Sequence, residues 1–227
     1  MKQYLKKNSH LLLILYLAVY FPAFFWVESY ITPDTPYTSI YWPLVDDWIP
    51  FCEWFILPYY LWALMLVAVG LHLLFADVPA FRRYMYRIMV GFSLSILFFV
   101  LFPNGQDLRP ASFPRDNFCT DLVRLIYAAD TNTNVLPSIH AVGAVFLVFA
   151  AYDSPSLRRH RWLPPVFLLL CALICVSTLF VKQHSVLDMA AGVALAFAVY
   201  YLVDVLPKRR RGSGPSGSSR IGVSRKG

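Results

Sequence analysis

The amino-acid sequence predicts an all-α, polytopic membrane protein, with six transmembrane helices in a bundle. Of its 227 residues, 58% are hydrophobic and only 15% are charged, and the mean hydropathy is +0.55. A soluble domain of this length rarely has such a composition. The apolar residues are also grouped in long blocks, as bilayer-spanning helices require. Together these observations argue against an ordinary soluble globular protein.

Each of six apolar blocks is close to the roughly 20 residues that a helix needs to cross the hydrocarbon core. The blocks are Leu11–Val27, Trp54–Phe75, Tyr84–Phe102, Val135–Tyr152, Leu163–Phe180 and Val186–Val205. The fourth is rich in Ala and Gly, which favours a helix packed against other helices. The first lacks a small-residue cleavage site after it, so we interpret it as a retained span and not as a signal peptide.

The distribution of Lys and Arg predicts the orientation of the spans. Basic residues cluster in four segments that alternate with the predicted outer loops: Lys2, Lys6 and Lys7; Arg82, Arg83 and Arg87; Arg158, Arg159 and Arg161; and Lys208, Arg209, Arg210 and Arg211. Basic loops stay on the cytoplasmic side, so we expect both termini to be cytoplasmic in a multi-pass protein of the cell membrane. The basic cytoplasmic loops then account for the net charge of +7, and we expect no nucleic-acid partner.

The chain divides into a six-span domain, residues 1–207, and a basic tail, residues 208–227. The tail is rich in Gly, Ser and Arg, which predicts disorder; attraction to anionic lipid is the alternative. Cys52 and Cys119 fall in predicted outer loops, where a disulfide between them and two free thiols are both open. No pattern in the sequence indicates an oligomeric state.

Three polar clusters lie in the predicted outer loops. They are NGQDLRPASFPRDN (104–117), TNTNVLPSIHA (131–141) and VKQHSVLD (181–188). Each adjoins a span at the same predicted face of the membrane. Residues that are far apart in sequence are therefore expected to share one membrane depth, at the extracytoplasmic face.

His184 and Asp188 are the first candidate catalytic pair. They are four residues apart, so on a helix they lie on one face. A carboxylate that accepts the Nδ1 proton of an imidazole fixes its tautomer and leaves Nε2 free to act as a nucleophile. The alternative is a polar pair that only joins two helices, although ionisable groups at a membrane face favour a function.

His140 is a candidate proton donor. It follows Pro137 and Ser138, which together indicate a helix start, and free amides at such a start favour anion binding. Ser138 adds a hydroxyl, and His140 is placed to protonate a leaving oxygen. The alternative is a capped helix with a lone interfacial histidine.

Cationic side chains are candidate phosphate ligands. Arg109 supplies a planar guanidinium that suits phosphate oxygens. Arg115 and Lys182 add charge, although an interfacial anchor is the alternative for each. A metal site built on the two histidines and Asp188 competes with this interpretation, but the outer loops lack a dense ligand set. We therefore expect no metal.

Short motifs in these clusters resemble the signatures of the type 2 phosphatidic acid phosphatase superfamily. PSIH (137–140) resembles its second signature, P-S-G-H, and STLFVKQHSVLD (177–188) resembles its third, S-R-x5-H-x3-D. LRP (108–110) resembles the end of its first, K-x6-R-P. The resemblance covers about half of the chain, from the third span to the sixth.

Three positions depart from the family pattern. Phe102 stands in place of the Lys of the first motif, Thr178 in place of the Arg of the third, and Ile139 in place of the Gly of the second. Two phosphate-binding cations of the pattern are therefore absent, and we hypothesise that Lys182 or Arg115 replaces them. The relaxed first motif, with KQH in the third, is similar to the branch that includes inositol phosphorylceramide synthases.

The resemblance implies a role for each site residue. His184 would attack phosphorus to form a phosphohistidine, with Asp188 orienting it. His140 would protonate the leaving alkoxide and then activate the acceptor. Phosphoryl oxygens would be held by Arg109, Lys182 and Ser138. No metal or organic cofactor is implied.

The same resemblance implies an integral-membrane enzyme that hydrolyses a phosphomonoester or diphosphate lipid at the extracytoplasmic face. Phosphatidate, phosphatidylglycerol phosphate and polyprenyl diphosphates are the expected kinds of substrate, presented by the lipid bilayer. Transfer of a head group to a lipid alcohol, as in inositol phosphorylceramide synthases, is the alternative. A third hypothesis is a non-enzymatic transporter or scaffold that retains the fold, motivated by the two absent cations.

Overall fold

The computed structural model describes residues 9–208 of the chain. Within this range the regular secondary structure is helical, apart from one parallel pair of two-residue strands, β1 (Thr38–Ser39) and β2 (Asn104–Gly105), and loops connect the elements. The predicted basic N-terminus and the tail beyond Lys208 lie outside the described residues. The predicted division at residue 207 therefore stays a prediction.

The helices of the described range include the spans and short connecting helices. Helix α1 (Leu15–Tyr30) continues a 3-10 helix (Ser9–Ile14), and α3 (Ile56–Ala76) continues another (Glu53–Phe55). A π-helix (Tyr201–Val205) extends α9. The other helices are α2 (Pro43–Asp46), α4 (Val78–Leu101), α5 (Phe118–Ala129), α6 (Ile139–Asp153), α7 (Pro155–Arg158), α8 (Leu163–Phe180) and α9 (Val186–Tyr200).

The prediction of an all-α, multi-pass membrane protein is confirmed. Five helical stretches of the described range are long and apolar enough to cross a bilayer: Ser9–Tyr30, Glu53–Ala76, Val78–Leu101, Leu163–Phe180 and Val186–Lys208. They correspond to five of the six predicted blocks. The count of six is approximate, because the remaining block forms the shorter α6, a helix of 15 residues.

Helix α6 begins later than predicted because the residues before it are held as a loop. The block was expected to begin at Val135, but the Asn104 side chain accepts hydrogen bonds from the backbone N–H groups of Val135 and Leu136, at 3.0 and 2.7 Å. Because these two N–H groups donate to a side chain, they make no helical hydrogen bonds. Ser138 then caps the helix, since its Oγ accepts from Ala141 N at 3.3 Å.

Helix α6 lies at the centre of the bundle and packs against α4, α8 and α9. Its small residues allow neighbouring helices to approach closely. A Cβ at Gly143 would lie 2.6 Å from Nε1 of Trp62 on α3. A Cβ on Gly91 of α4 would lie 2.8 Å from the Phe146 ring of α6.

Arg82, Arg83 and Arg87 lie in α4 and not in a loop, which corrects the sequence-based placement. The helix begins at Val78 because Asp77 caps it, its Oδ1 accepting from Ala80 N at 3.1 Å. The three arginines therefore occupy the first turns of a span.

A buried ion-pair cluster holds one end of the bundle together. Arg87 is 1% exposed, and its Nε donates to Oδ2 of Asp204 at 2.7 Å while its Nη2 contacts the Asp153 carboxylate. The guanidinium also lies over the rings of Phe149 and Tyr200, 5.6 and 5.1 Å from their centroids. Since α4, the end of α6 and the π-helix each contribute a charge, Arg87 joins three spans. Removal of one of these buried charges leaves its partner desolvated and unpaired, which destabilises the folded state.

We expect Arg87→Met to lower the free energy of unfolding by about 3–5 kcal/mol, because it leaves the Asp204 carboxylate buried without its partner. Thermal unfolding of the detergent-purified protein measures this loss. Arg124→Gln is the control, since Arg124 is 46% exposed and pairs only with exposed carboxylates. Such surface pairs contribute about 0–1 kcal/mol. Equal losses in the two variants would contradict a stabilising role for the cluster.

Candidate active site

Two histidines from distant parts of the chain are in direct contact. His140 lies in the first turn of α6, and His184 lies in the short loop between α8 and α9. Nδ1 of His140 is 3.1 Å from Nε2 of His184. His184 is only 7% exposed. The two imidazoles therefore face each other in a largely desolvated site, at the opposite end of α6 and α9 from the Arg87 cluster.

Backbone hydrogen bonds shape the loop that carries His184. The carbonyl of Thr178, in the last turn of α8, accepts from the N–H groups of Gln183 and His184 at 3.0 and 3.2 Å. Lys182 has a φ of 55°, a left-handed conformation that turns the chain sharply. The buried side chain of Gln106 donates to the carbonyls of Lys182 and Gln183, at 2.9 and 3.2 Å. The loop is thus tied to the segment that follows α4.

The carboxylate of Asp188 is fixed by a capping box at the start of α9. Its Oδ2 accepts from Ser185 N at 3.0 Å, and Ser185 Oγ accepts from Leu187 N at 3.0 Å. The other oxygen, Oδ1, lies 3.2 Å from Nδ1 of His184. The angle at this pair is outside the hydrogen-bond range, and neither atom has a hydrogen-bond partner elsewhere. Proximity in a buried site makes this an electrostatic pair.

The starts of α6 and α9 are in backbone contact. The N–H of Ser138 donates to the carbonyl of Asp188 at 3.0 Å. A Cβ at Gly192, one turn further along α9, would lie 2.5 Å from the Ser138 carbonyl oxygen and 2.9 Å from Cβ of Ala141. Because the obstructing atoms belong to the backbone and to a short side chain, only glycine fits there. This close approach sets the distance between the two histidines.

The carboxylates around His184 raise its pKa. Burial lowers this pKa, but Asp188 and, after it, Asp130 raise it, so that the pKa lies above the usual value for histidine. The two carboxylates therefore favour the protonated form of the His184 imidazole. A protonated His184 carries a positive charge that attracts an anionic group before any chemistry occurs.

Arg109 lies next to the loop that carries His184, where it donates hydrogen bonds to several acceptors. Its Nη2 donates to the Asp130 carbonyl and to Oε1 of Gln183, both at 2.6 Å, and its Nη1 donates to the Tyr127 carbonyl at 3.2 Å. The guanidinium lies 4.3 Å from the centroid of the Tyr127 ring. Burial lowers its pKa, and Asp130 opposes this shift. Its buried Nε has no hydrogen-bond partner.

The other two predicted phosphate ligands, Lys182 and Arg115, form polar contacts with neighbouring residues. Nζ of Lys182 donates to the Asp46 carbonyl at 3.0 Å, and burial lowers the pKa of this lysine. Arg115 is 59% exposed and forms a bidentate pair with Glu53, at 2.7 and 3.1 Å. The phosphate-binding roles of Lys182 and Arg115 stay predictions. Ser138 is fully buried and its hydroxyl is used as the cap of α6.

A cavity of about 530 Å³ opens from the histidines into the bundle. Helices α1, α3 and α4 form its walls, which are almost entirely aliphatic and aromatic. Its polar end is lined by His140, His184, Gln183, Asp130, Thr131 and Asn134. Ligand cavities of soluble and membrane proteins commonly have this size and this contrast between one polar end and apolar walls.

Several residues of this site were not predicted from the sequence. Tyr59 and Trp62 of α3 pack on the His140 ring, with centroids 4.6 and 4.4 Å away. Asp130 accepts from Gln183 Nε2 at 3.2 Å and from the Tyr59 hydroxyl at 3.4 Å. Burial, with Glu28 adding to it, raises the pKa of Asp130 to about 6. The aromatic residues lie in an apolar block that gives no functional signal, whereas Asp130 adjoins a polar cluster.

Cys52 and Cys119 are free thiols. Within residues 9–208, no group of three or more His, Cys, Asp or Glu side chains is arranged to hold a metal ion.

Residues 105–211 match the family model of the PAP2 superfamily. Over this segment, the chain is similar to the PAP2 superfamily. The match includes Arg109, His140, His184 and Asp188, and it begins after Phe102, the position where the first signature would have its Lys. No curated protein sequence matches the chain. PAP2 members are phosphatases or phosphotransferases, and the apolar helices fit a membrane enzyme of this kind that acts on lipid.

We expect Asp188→Asn to lower the pKa of His184, because burial would then act without the main carboxylate that opposes it. In the wild-type protein, this pair stabilises the fold fully below about pH 6.5, the pKa of unfolded histidine. The contribution is lost as the pH rises through the raised pKa of the folded state. Nitrogen-15 NMR of histidine-labelled protein in detergent micelles measures the change.

Asp107→Asn is the matched control, since Asp107 is exposed and bonds to Tyr37 and Asn132. It should leave the His184 titration unchanged. An unchanged or raised His184 pKa in Asp188→Asn would refute the electrostatic pairing.

Proposed function

We propose that this protein is an integral-membrane phosphatase that hydrolyses a phosphomonoester or diphosphate lipid through a phosphohistidine. The observation that carries the proposal is the contact of His140 and His184 at the polar end of an apolar cavity. Two facing imidazoles supply a nucleophile and a proton donor. The apolar walls of the cavity suit a hydrocarbon tail.

In the first step, Nε2 of His184 attacks phosphorus, and the bond between phosphorus and the ester oxygen breaks. Attack requires the lone pair of Nε2, so the ring must hold its proton on Nδ1, the atom that faces Asp188. Asp188 then stabilises the positive charge of the phosphorylated ring. His140 gives a proton to the leaving alkoxide. In the second step, His140 takes a proton from water, the hydroxide attacks phosphorus, and His184 is released with inorganic phosphate.

The phosphoryl oxygens require positive charge or hydrogen-bond donors during both steps. Arg109 is the best-placed cation, since it bonds to Gln183, the neighbour of His184, and its Nε is unpartnered. Lys182 and Arg115 would have to leave Asp46 and Glu53 to contribute. Ser138 would contribute through its position at the start of α6. The mechanism requires no metal or organic cofactor.

We place the site at the extracytoplasmic face of the cell membrane, with both termini in the cytoplasm. Support comes from the basic residues at the other end of the bundle. Arg82 and Arg83 begin α4, and Arg158, Arg159 and Arg161 follow the end of α6. Basic residues at this end favour its retention in the cytoplasm.

We expect phosphate release from a panel of lipid phosphates to persist in EDTA and to fall to background in His184→Ala. His140→Ala should slow release by roughly 10²–10⁴-fold, the usual effect of losing an acid–base group. Detergent-purified full-length protein and a colorimetric assay of inorganic phosphate are sufficient.

His160→Ala is the control, because His160 is exposed beyond the end of α6 and should not affect release. Full activity in His184→Ala would contradict the phosphohistidine mechanism. Loss of activity in EDTA would contradict a mechanism without a metal.

Transfer to a lipid alcohol is the second candidate function. The observation that favours it is that the buried histidines open into an apolar cavity, whose lining suits a lipid alcohol better than water. We expect a transferase to release little inorganic phosphate under any condition. When diacylglycerol or ceramide is supplied, it should form the exchanged lipid, which thin-layer chromatography of radiolabelled substrate detects. Retained lipid binding without hydrolysis or transfer would instead favour a non-enzymatic scaffold.

A further inference from the structure

The polar end of the cavity presents hydrogen-bond acceptors and, apart from the two histidines, no cationic side chain from the described residues. Among the described residues that line it, none is Lys or Arg, and one is the carboxylate-bearing Asp130. A carboxylate repels a phosphate, so its presence near His184 is unexpected in a site that binds phosphate alone. A carboxylate at this position suits a ligand that carries a cationic group beside its phosphate.

Asp130 has one oxygen available to a ligand. Its Oδ2 accepts from Gln183 Nε2 and from the Tyr59 hydroxyl. Its Oδ1 accepts no hydrogen bond from any residue within 9–208, and the residue is partly accessible through the cavity that it lines. Arg109 contacts the backbone carbonyl of Asp130 and not its carboxylate. The carboxylate therefore has no direct cationic partner in the described structure.

Asn134 supplies a second unpartnered acceptor. Its Nδ2 donates to Oε1 of Glu28 at 2.8 Å and to the Ile31 carbonyl at 3.3 Å, which fixes the orientation of the amide. Its Oδ1 is buried without a hydrogen-bond partner. The side chain is 7% exposed and lines the same cavity. An unsatisfied buried acceptor is costly, and a donor from a ligand would satisfy it.

The surrounding charges favour a cation over a neutral donor. Oε2 of Glu28 accepts from the backbone N–H and the hydroxyl of Thr131 at 3.3 and 2.7 Å, so a second carboxylate lies behind this wall. The ring of Tyr59 lines the cavity beside Asp130, and aromatic faces attract cations. The pKa of Asp130, about 6, keeps the carboxylate ionised above neutral pH.

We propose that Asp130 and Asn134 form a subsite for an ammonium group, and that the preferred ligand is a lipid phosphate with an ammonium group close to its phosphate. The phosphate would lie at His184, the ammonium at the two free acceptors, and the tail along the apolar walls. This inference rests on the proposed lipid-phosphate function and names its substrate class. An ammonium group has three donors, enough for both acceptors.

Binding to the full-length His184→Ala protein in detergent micelles tests the subsite without turnover. The probes are sphinganine 1-phosphate, which carries an ammonium on the carbon next to the phosphate-bearing carbon, and a lysophosphatidate of matched chain length, which carries a hydroxyl there. We expect the amino lipid to bind roughly tenfold more tightly at about pH 8, the effect of one charge-assisted hydrogen bond. Equal affinity, or tighter binding of lysophosphatidate, would overturn the proposal.

Asp130→Asn keeps the shape of the side chain and removes its charge. In the His184→Ala background, it should reduce the preference to about twofold or less. It should also strengthen lysophosphatidate binding, because a charge that repels phosphate is lost. Asp107→Asn removes a carboxylate that does not line the cavity, so it should keep the full preference.

Two further outcomes separate this proposal from the proposed function. If the wild-type protein hydrolyses no lipid phosphate but the His184→Ala protein shows the Asp130-dependent preference, the subsite stands and the phosphatase proposal fails. If the wild-type protein hydrolyses both probes with equal kcat/KM, the phosphatase stands and the subsite is refuted. A third comparison uses phosphodiester lipids. Tighter binding of phosphoethanolamine lipids than of phosphoglycerol lipids would show that the ammonium recognised by the subsite belongs to a head group.

Discussion

The backbone contact between the starts of α6 and α9 is the constraint on which the site depends. The Ser138 amide donates to the Asp188 carbonyl, and Gly192 provides the space for this approach. Each helix start carries one part of the apparatus, since His140 follows Ser138 and Asp188 faces His184. If the two helix starts separated, the 3.1 Å contact between the imidazoles would be lost even with every side chain present.

Two features act together around this contact. The Arg87 cluster fixes the far ends of α4, α6 and α9, so the helices that bring the histidines together are held at both ends. The carboxylate of Asp188 has one oxygen in the capping box and the other at His184. The same residue thus ends the loop, starts the helix and sets the charge of the imidazole, and these three roles cannot vary independently.

The sequence predicted the parts of the structure that depend on local pattern. Apolar blocks located the spans. The spacing of His184 and Asp188 predicted two side chains on one helix face, whereas His184 lies in the loop before α9 and only Asp188 is helical, although the two side chains are in contact. The shared membrane depth of their loops and the family signatures assigned His140 and His184 to one site, but their direct contact was not predicted. The start of α6 was placed too early, because the hydrogen bonds from Asn104 that hold the preceding loop join residues distant in sequence.

Other parts of the site depend on tertiary contacts that leave no mark in the sequence. Tyr59 and Trp62 resemble any aromatic residues of a span, and only the packing of α3 on α6 brings them to His140. Arg87 was expected to serve as a cytoplasmic loop charge, whereas its partners Asp153 and Asp204 lie in other helices. Asp130 adjoins a polar cluster in the sequence, and its role depends on a cavity formed by three helices.

Helix α1 is attached to α4 and separated from α3, which determines where the cavity meets the lipid. Ser9 accepts from Arg82 at 3.1 Å, the Tyr16 hydroxyl bonds to Ser93 at 3.1 Å, and the cavity lies between α1 and α3. In a bilayer, a molecule that enters the cavity between α1 and α3 would come from the region of the acyl chains. Its encounter rate follows its mole fraction in the membrane, and dilution of the membrane with inert lipid slows the encounter even when the bulk concentration is constant.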